Sequence, residues 1–254
     1  METRTQPLLG AIEQYWTRRA ESYSAVVRYE MAHDNEQNWM SVITGELPRG
    51  QFGRVLDVGT GPGFFAVALA RRGYRVTAVD YTQAMLDQAR ENAGALAPAI
   101  DFRRMDAQRL ALPDGGFDAV VTRNLTWNLE DPQAAYSEWR RVLRPGGVLL
   151  NFDAGWYSYL YDGEKQAAYE RDRRRVAELG VRDFNDYPDG EAMEAISREL
   201  ILSRCRRPQA DVRMARRAGF ARVCVDPAVG ERVWDADEKI NYVSTPLFML
   251  RAEK

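Results

Sequence analysis

The chain has 254 residues, of which 45% are hydrophobic and 28% are charged, and its formal net charge at pH 7 is −2. These values are typical of a globular protein, and so small a net charge creates no general positive field that would attract nucleic acid or an anionic membrane. The sequence contains no run of about 18 apolar residues, and its N-terminus lacks the basic and then apolar pattern of a secretion signal. We therefore expect a cytoplasmic protein that binds neither nucleic acid nor membranes.

The two cysteines, Cys205 and Cys224, lie far apart and form neither a CxxC motif nor a cluster of metal ligands. Because thiols stay reduced in the cytoplasm, we expect both side chains to be free and buried. No metal site is predicted.

The first fifty residues have the periodicity of helices. Apolar side chains recur at steps of three and four residues from Leu9 to Val27, and a second, shorter helix is predicted over 35–46. Pro48 then interrupts the pattern. We expect residues 1–50 to form a separate helical segment.

From Arg54 onward, short apolar runs alternate with helical patterns. Strands separated by helices form βαβ units, and such units build a parallel sheet, so an α/β fold is predicted. The predicted strands are 55–58, 75–80, 100–105, 117–122, 148–152, 222–225 and 246–251.

Residues 154–208 interrupt this alternation. They are rich in aromatic and charged side chains, and part of the segment has helical spacing. We expect them to form a helical cap that is inserted after the fifth strand, on the substrate side. The sheet domain then consists of residues 51–153 and 209–254.

The most specific motif is the loop at residues 57–63, Asp-Val-Gly-Thr-Gly-Pro-Gly, which joins a predicted strand to a predicted helix. Glycines let a ligand approach the backbone, and the start of the helix directs free N–H groups toward it. The dinucleotide fingerprint G-x-G-x-x-G fails, because its third glycine falls on Phe64. A carboxylate at Asp57 repels a pyrophosphate but suits an ammonium or a sulfonium ion. The alternative is a tight turn that needs glycine for steric reasons alone.

Several polar side chains lie at or just after the ends of the predicted strands. Because the carboxyl ends of parallel strands meet at one edge of a sheet, we expect these side chains to lie close together beside a ligand site. They are Asp57, Asp80, Asp106, Arg123 and Asp153.

These motifs resemble those of the class I S-adenosylmethionine (SAM)-dependent methyltransferases, particularly the small-molecule branch that includes enzymes of ubiquinone and menaquinone biosynthesis (methyltransferase type 11). Residues 57–63 resemble the first family motif, Asp80 follows about twenty residues later, and 105–107, 117–121 and 141–147 resemble the later motifs. The resemblance implies a Rossmann-like, doubly wound, mostly parallel sheet of seven strands with an N-terminal helical segment and an inserted helical cap. It also implies SAM as the cofactor and S-adenosylhomocysteine (SAH) as the product.

The resemblance further implies a role for each residue of the cofactor site. Asp80 would accept hydrogen bonds from both ribose hydroxyls, and Asp106 would accept one from the adenine amino group. Tyr81 and Met85 would enclose the adenine ring, although Met85 suits a core position on its helix equally well. Asp57 would orient the loop and the ammonium group of the methionine tail. The remaining candidates are Gly59, Thr60, Gly61 and Gly63 in the loop, and Ala107 and Gln108 beside the adenine.

Residues 15–23 resemble the leading helix of the family, which folds over the methionine end of SAM. Arg19 would pair with the methionine carboxylate, and Tyr15 or Tyr23 would cover it. The alternative is an amphipathic surface helix with solvated arginines.

Candidates on the acceptor side are less specific. Arg123 and Asn124, directly after the fourth strand, should face the methyl donor or the acceptor. The only histidine, His33, is a candidate general base because imidazole titrates near pH 7, although a lone histidine is more often a surface or packing residue. Tyr157 is a second candidate base, and Asp153 and Tyr161 are comparable ones. The candidates for an acceptor-binding wall, each equally suited to the core, are Trp39, Trp127, Asp153 and Trp156.

Methyl transfer to a small molecule is the function that these features favour, because a leading helix and a cap would enclose a pocket. Methyl transfer to RNA or protein is the first alternative, but it needs an open basic or grooved surface, and residues 122–127 lack the Asn/Asp-Pro-Pro-Tyr/Phe signature of adenine and glutamine N-methyltransferases. The basic run 171–175 is predicted to be a solvated helix face. A SAM-binding protein without transfer activity is the second alternative. The acceptor, the methylated atom and the oligomeric state stay open.

Overall fold

In the computed structural model, which describes residues 7–32, 35–47, 53–187 and 189–254, the strands form one seven-stranded sheet. They are β1 (Arg54–Val58), β2 (Arg75–Asp80), β3 (Ile100–Arg104), β4 (Phe117–Arg123), β5 (Leu143–Asp153), β6 (Arg222–Asp226) and β7 (Phe248–Glu253). Their order in the sheet is β3-β2-β1-β4-β5-β7-β6. The first five strands are parallel, whereas β7 runs antiparallel to both β5 and β6. The predicted α/β fold with a doubly wound, mostly parallel sheet is confirmed.

Helices connect these strands and cover the sheet. They are α1 (Pro7–Ala32), α2 (Asn35–Glu46), α3 (Phe64–Arg71), α4 (Gln83–Ala93), α5 (Pro132–Val142), α6 (Gly163–Leu179), α7 (Gly190–Glu199), α8 (Gln209–Arg217), α9 (Gly230–Val233) and α10 (Ala236–Asn241). In the described part of the chain, no helix combines the length and the apolar character that crossing a membrane requires.

The position of β1 determines where a ligand site forms. The chain builds outward from β1 to β2 and β3 and then returns to β4 on the other side of β1. This reversal of strand order opens a crevice at the carboxyl ends of β1 and β4, because the loops that leave the two strands diverge there.

Two strands begin two or more residues away from the predicted start. Strand β7 begins at Phe248 rather than at residue 246, and β5 begins at Leu143 rather than at residue 148. Leu143 pairs with Phe117 before the register of the β4–β5 pair shifts. The turn that was expected to end before β5 therefore lies within the strand.

Aromatic side chains form much of the core on one face of the sheet. The Trp39 ring lies 5.1 Å from that of Phe152 and 5.3 Å from that of Phe65, with both pairs edge to face. On the opposite face, Tyr136 and Trp139 of α5 are fully buried. Burial on both faces explains why the central strands are apolar throughout rather than alternating.

The leading helix α1 is fastened to the rest of the domain through α4. The Asn92 amide nitrogen at the end of α4 donates to the Ser24 hydroxyl of α1 (2.9 Å) and to the Pro62 carbonyl of the glycine loop (2.9 Å). At the other end of the interface, Arg104 pairs with Glu13 at 2.6 Å. The helix is thereby held against the loop that follows β1.

A buried polar network fixes the far end of the inserted segment. Nη2 of Arg207 donates to Asp153 (3.1 Å) and to Asp211 (2.7 Å), and these three side chains are 2%, 0% and 0% exposed. The Tyr136 hydroxyl also donates to Asp211, and the Thr126 hydroxyl donates to Asp153. Because each buried charge has a partner, the network ties β5, α5 and α8 together without an unpaired ion.

Both cysteines are free, as predicted, but neither thiol is fully buried as expected. Cys205 is half-buried, whereas Cys224 is exposed. Cys224 lies on β6, an edge strand of the sheet, where one face of the strand has little to pack against.

Candidate functional site

A cavity of about 470 Å³ lies at the carboxyl ends of β1 to β4. Its walls come from α1, from the loops after these four strands, from the inserted segment and from the region around α10. A cavity of this size lies within the range of about 300–1,000 Å³ that small-molecule sites occupy. Of the predicted site residues, those that line it are Tyr15, Arg19, Tyr23, Trp39, Asp57, Gly59, Thr60, Gly61, Asp80, Tyr81, Met85, Asp106, Ala107, Gln108, Arg123, Asn124, Trp127, Trp156 and Tyr157.

The glycine loop exposes backbone at the floor of the cavity. The N–H groups of Gly59 and Thr60 both donate to the Val79 carbonyl, at 2.8 and 3.0 Å, so the loop turns tightly over the end of β2. Gly61 has a φ of +51°, and the nearest atom to an added Cβ is 3.8 Å away, on Tyr23. The left-handed backbone, and not crowding, therefore requires glycine at position 61, and the space above it is available to a ligand.

Gly63 does not line the cavity, which corrects its assignment to the cofactor site. Its φ is +91°, and an added Cβ would lie 3.1 Å from the Cβ of Ala89. The residue allows α3 and α4 to approach each other closely. The steric explanation that was set against ligand approach is the correct one at this position.

Asp57 holds the glycine loop from below. The carboxylate is 2% exposed and accepts a hydrogen bond of 2.7 Å from the Thr60 hydroxyl. Burial raises the pKa of this carboxyl to about 7, against the opposing effect of the Thr60 hydroxyl and the Ala66 N–H. A cationic ligand nearby would favour its ionised form.

Asp80, at the end of β2, connects the same loop to the next one. Its two oxygens accept backbone N–H groups from Gly61 (2.9 Å) and Thr82 (2.8 Å). Burial raises the pKa of the carboxyl to about 6, although these hydrogen bonds act in the other direction. A carboxylate oxygen can accept more than one hydrogen bond, so the Asp80 side chain retains capacity for two ligand hydroxyls.

A third carboxylate, Asp106, lies after β3 and orders the loop that it begins. Its Oδ1 accepts from both the backbone N–H (2.9 Å) and the side-chain amide (3.0 Å) of Gln108. Gln108 in turn accepts a hydrogen bond of 2.6 Å from the N–H of Asp131. Met85 also lines the cavity and is 2% exposed. It therefore occupies a core position and borders the cavity at once, although these two roles were considered as alternatives.

The leading helix contributes a cationic group to the cavity. The guanidinium of Arg19 lies 4.6 Å from the centre of the Tyr187 ring and also contacts Tyr15. Its buried Nε has no hydrogen-bond partner among the described residues. A carboxylate of a ligand would satisfy this donor.

Arg123 and Asn124 lie at the end of β4, where the two halves of the cavity meet. Arg123 is already paired, because Glu30 of α1 accepts its hydrogen bond at 2.8 Å and the guanidinium lies 4.4 Å above the Phe64 ring. Asn124 has a φ of +54° and its buried Oδ1 accepts from no described residue. The free hydrogen-bonding group at this point is therefore the Oδ1 of Asn124, whose side chain also forms a hydrogen bond with Tyr23.

Asp153 does not reach the cavity, and its assignment to the acceptor wall or to catalysis is wrong. The carboxylate is fully buried, and both oxygens are occupied by Arg207, Thr126 and backbone or indole N–H groups. Tyr161 is corrected as well, because 44% of its side chain is exposed and its hydroxyl donates to the Arg198 carbonyl.

The two candidate bases have different outcomes. His33 lies outside the described residues. Tyr157 lines the cavity, and its hydroxyl forms a hydrogen bond of 2.9 Å with that of Tyr187. Burial, followed by the effect of Tyr187, raises the pKa of the Tyr157 hydroxyl well above its ordinary value. Tyr157 therefore stays protonated near neutral pH and is a poor base.

The three tryptophan candidates lie in the cavity wall, but their indole groups differ. Nε1 of Trp127 donates to the Asn124 carbonyl and that of Trp156 donates to Asp153, whereas the buried Nε1 of Trp39 has no partner among the described residues.

The basic run on α6 is only partly a solvated face, because Arg173 donates to Asp183 and to Asn241 at 2.9 Å.

Several cavity residues had no motif that would predict them. They come from positions far apart in the sequence, and each lies outside the glycine loop and the strand ends. A capping box at Asp235 and Glu238 predicts the start of a helix but not its place beside a cavity. The residues that were missed include Glu30, Tyr187, Trp234, Glu238 and Tyr242.

The residues of this cavity have the chemistry that SAM requires. Asp80 and Asp106 offer acceptors for hydroxyl and amino donors, Gly61 leaves room for close approach, and Arg19 offers an unpaired donor for a carboxylate. Among the described residues, no group of three or more histidine, cysteine, aspartate or glutamate side chains is arranged to hold a metal ion.

A family model described as a methyltransferase domain matches residues 56–151 of the chain. The sequence is 30% identical to a ubiquinone biosynthesis O-methyltransferase of Pseudomonas aeruginosa over 198 residues, which is 74% of this chain and 78% of that protein. It is 41% identical to a demethylmenaquinone methyltransferase of Deinococcus radiodurans over 121 residues, which is 46% of this chain and 50% of that protein. The chain thus spans about half the length of several relatives that it matches.

Solved structures show the same fold. A phosphoethanolamine N-methyltransferase of Haemonchus contortus, in complex with phosphomonomethylethanolamine and SAH, aligns with a TM-score of 0.58 at 18% identity. The alignment covers 86% of this chain and 52% of that one. At this identity the likeness concerns the fold of the backbone.

Proposed function

This chain belongs to the class I SAM-dependent methyltransferases, a family whose cofactor is SAM, and we propose that it transfers the methyl group to a small-molecule acceptor. In this proposal the segment 1–50 covers the cofactor, residues 51–153 and 209–254 bind it, and the cap 154–208 encloses the acceptor. We also propose that the enzyme acts in the cytoplasm.

One observation carries the proposal. One cavity has two connected halves. The cofactor half lies at the edge of the sheet, beside the glycine loop and the carboxylates at the strand ends. The acceptor half is lined by aromatic side chains of the inserted segment and of the region around α10. A concave space of this size suits a small acceptor, whereas an RNA or a folded protein needs a larger and flatter surface.

In this proposal, residues of the cofactor half have the following roles. Asp80 accepts the ribose hydroxyls, Asp106 accepts the adenine amino group, and Met85 packs against the adenine. Arg19 pairs with the methionine carboxylate, and Asp57 acts on the ammonium group through the loop that it holds. SAM, when bound, supplies an electrophilic methyl group on a sulfonium ion.

The contribution of the protein is then mostly alignment. Methyl transfer is an in-line displacement, so the chain must hold the acceptor nucleophile opposite the sulfur and keep water away. Asn124 lies between the two halves, where its unpaired Oδ1 can orient a donor group of the acceptor. Tyr157 and Tyr187 form part of the wall.

The proposal is tested in two steps. Calorimetric titration with SAM and SAH should show micromolar binding of both. The protein is then incubated with radiolabelled methyl-SAM and a cell extract that has been separated into small-molecule, RNA and protein fractions.

Label in the small-molecule fraction supports the proposal, and label retained by RNA or protein supports the first alternative instead. Binding of SAH without label in any fraction indicates a SAM-binding protein without transfer activity. D80A, which removes the ribose acceptors, is the negative control.

A further inference from the structure

Resting on the proposed methyl transfer, we infer that the acceptor is an organic amine that enters as an ammonium ion and is held by the acidic–aromatic lobe of the cavity. This lobe consists of the carboxylates of Glu30 and Glu238 and the rings of Trp156, Trp234 and Tyr242, all of which line the cavity.

The lobe has more carboxyl groups than cationic partners. Glu238 is 8% exposed, and its Oε2 accepts from the Asn35 amide (3.1 Å) and from the N–H of Asp235 (2.9 Å). Glu30 pairs with Arg123, whose charge also acts on Glu238. One guanidinium thus serves two carboxyl groups, and a cation from outside the protein would favour the ionised form of Glu238.

The rings of the lobe suit the same ligand. The Tyr242 ring lies 5.1 Å from that of Trp156, nearly perpendicular to it, and 5.2 Å from that of Trp234. All three rings line the cavity, and the face of an aromatic ring attracts a cation through the ring quadrupole. An apolar lobe without carboxylates would suit a neutral arene instead, so the combination is what indicates an ammonium ion.

An independent observation comes from Asn124. Its Oδ1 is buried at the cavity and accepts no hydrogen bond from the described residues, which leaves an acceptor for a ligand N–H. A buried carbonyl oxygen without a donor costs free energy, and a bound ammonium or amine would supply one.

The charge of the whole cavity points the same way. Seven carboxylates line it against three guanidinium groups, which are Arg19, Arg123 and Arg182. Such a surface disfavours an acceptor that carries a phosphate or a carboxylate. The carboxylates are Glu30, Asp57, Asp80, Asp106, Asp183, Asp186 and Glu238.

The amine must lose a proton before it attacks, and in this proposal Glu238, which lines the cavity, takes that proton. The Glu238 carboxylate removes one proton from the ammonium group, and the freed nitrogen lone pair forms the N–C bond as the C–S bond breaks. SAH leaves as a neutral thioether, and the product is the N-methylated ammonium ion. Burial, followed by the negative charge of Glu30, raises the pKa of Glu238 to about 8. The hydrogen bond from the backbone N–H of Asp235 and the positive charge of Arg123 act in the other direction.

The first test uses two probes of the same shape, 2-phenylethylamine and 2-phenylethanol, with protein that is saturated with SAH. Saturation is measured beforehand, so a failure of cofactor binding is seen separately from a failure of this inference. The amine should bind at least about tenfold more tightly than the alcohol, because only the amine is charged. E238Q should abolish that preference.

E231Q is the matched control, since Glu231 lies nearby on α9 with 75% of its side chain exposed and outside the cavity. Equal affinity of the two probes for the wild-type protein, tighter binding of the alcohol, or no binding of the amine would overturn the inference. So would an unchanged preference in folded E238Q.

A second test needs no variant. The probe trimethyl(2-phenylethyl)ammonium keeps its charge at every pH, so its affinity reports the groups of the protein alone. Glu238 is faced by Glu30, Arg123, Asp235 and Tyr242, and burial raises the pKa of Glu238 to about 8. The affinity should rise between pH 7 and pH 9, and a flat profile would contradict a role for Glu238.

A third measurement distinguishes the sources of the amine. The wild-type protein and labelled SAM are supplied with 2-phenylethylamine, with vesicles that contain the lipid amine stearylamine, or with 4-ethylphenol. Label in the soluble amine or in the lipid headgroup supports an amine acceptor and identifies its source. Label in the phenol and in neither amine would overturn the inference.

Discussion

The two halves of the cavity are built in different ways. In the cofactor half, carboxylates at the ends of neighbouring strands hold backbone N–H groups of the loops, as Asp80 holds Gly61 and Thr82. In the acceptor half, side chains from α1, the inserted segment and α10 meet one another across the cavity. The first half is therefore positioned by the sheet itself, and the second depends on how separate helices pack. The difference indicates that the cofactor geometry should survive changes in the cap, whereas the acceptor geometry should not.

The largest expected effect concerns a carboxylate that belongs to neither half. D153A should lower the free energy of unfolding by about 3–5 kcal/mol, because it leaves Arg207 buried with one partner fewer. Denaturant titration measures the change. The exposed pair of Asp101 and Arg103 provides the control, since D101A should cost less than about 1 kcal/mol.

SAH affinity of folded D153A should equal that of the wild-type protein. A variant that kept its stability and lost SAH binding would show that Asp153 belongs to the binding site.

The second effect separates the cofactor half from the rest. D80A should weaken SAM and SAH binding by at least about 2 kcal/mol, or about thirtyfold, because hydrogen bonds to an ionised carboxylate are among the strong ones. Calorimetry measures the affinity, and circular dichroism checks the fold. D101A, a change on the neighbouring strand away from the cavity, should bind both ligands normally. Native affinity in D80A would refute the assignment of Asp80.

The third effect compares two glycines of one loop. G63A should lower stability by about 1–3 kcal/mol, because the residue has a φ of +91° and crowds Ala89, and SAH affinity should change little. G61A places its methyl group at the cavity and should weaken SAH binding more than G63A does. Thermal unfolding and calorimetry on both variants give the comparison. The opposite ranking in affinity would show that Gly63, and not Gly61, approaches the cofactor.

The fourth effect depends on pH, and it has opposite signs for the stability of the free protein and for its affinity for SAH. Burial raises the pKa values of Asp57, Asp80 and Glu238 to about 7, 6 and 8. The folded protein therefore binds more protons than the unfolded chain, and these carboxyl groups make the free protein more stable as the pH falls from 8 toward 5. SAH affinity should fall over the lower part of this range, because protonated Asp80 loses part of its capacity to accept the ribose hydroxyls.

Melting temperatures at pH 5.5 and pH 8, with and without SAH, measure both trends. The shift caused by SAH should be smaller at pH 5.5. A larger shift at the lower pH would show that SAH prefers the protonated carboxyls.

The cofactor half was largely predictable because its signals are local. The glycine loop, Asp80 and Asp106 each follow a recognisable strand, and parallel strands bring their carboxyl ends to one edge of a sheet. Even there, the role of Gly63 was mistaken. A glycine at the N-cap of a helix can allow either close packing or close approach of a ligand, and the sequence is the same in both cases. Asp153 was mistaken for a related reason: its position after β5 matches the pattern, but its partner Arg207 comes from a segment 54 residues further along the chain.

The sequence by itself determined the α/β fold, the order of the first five strands in the chain and the position of the cofactor loop, because hydrophobic period and glycine placement are properties of short segments. The tertiary structure alone decided which side chains share the acceptor half. Glu30 and Glu238 are 208 positions apart, and they lie near each other because α1 and α10 converge on the same edge of the sheet. The chemistry of that half is thus a property of packing, and packing between distant segments leaves no local pattern in the sequence.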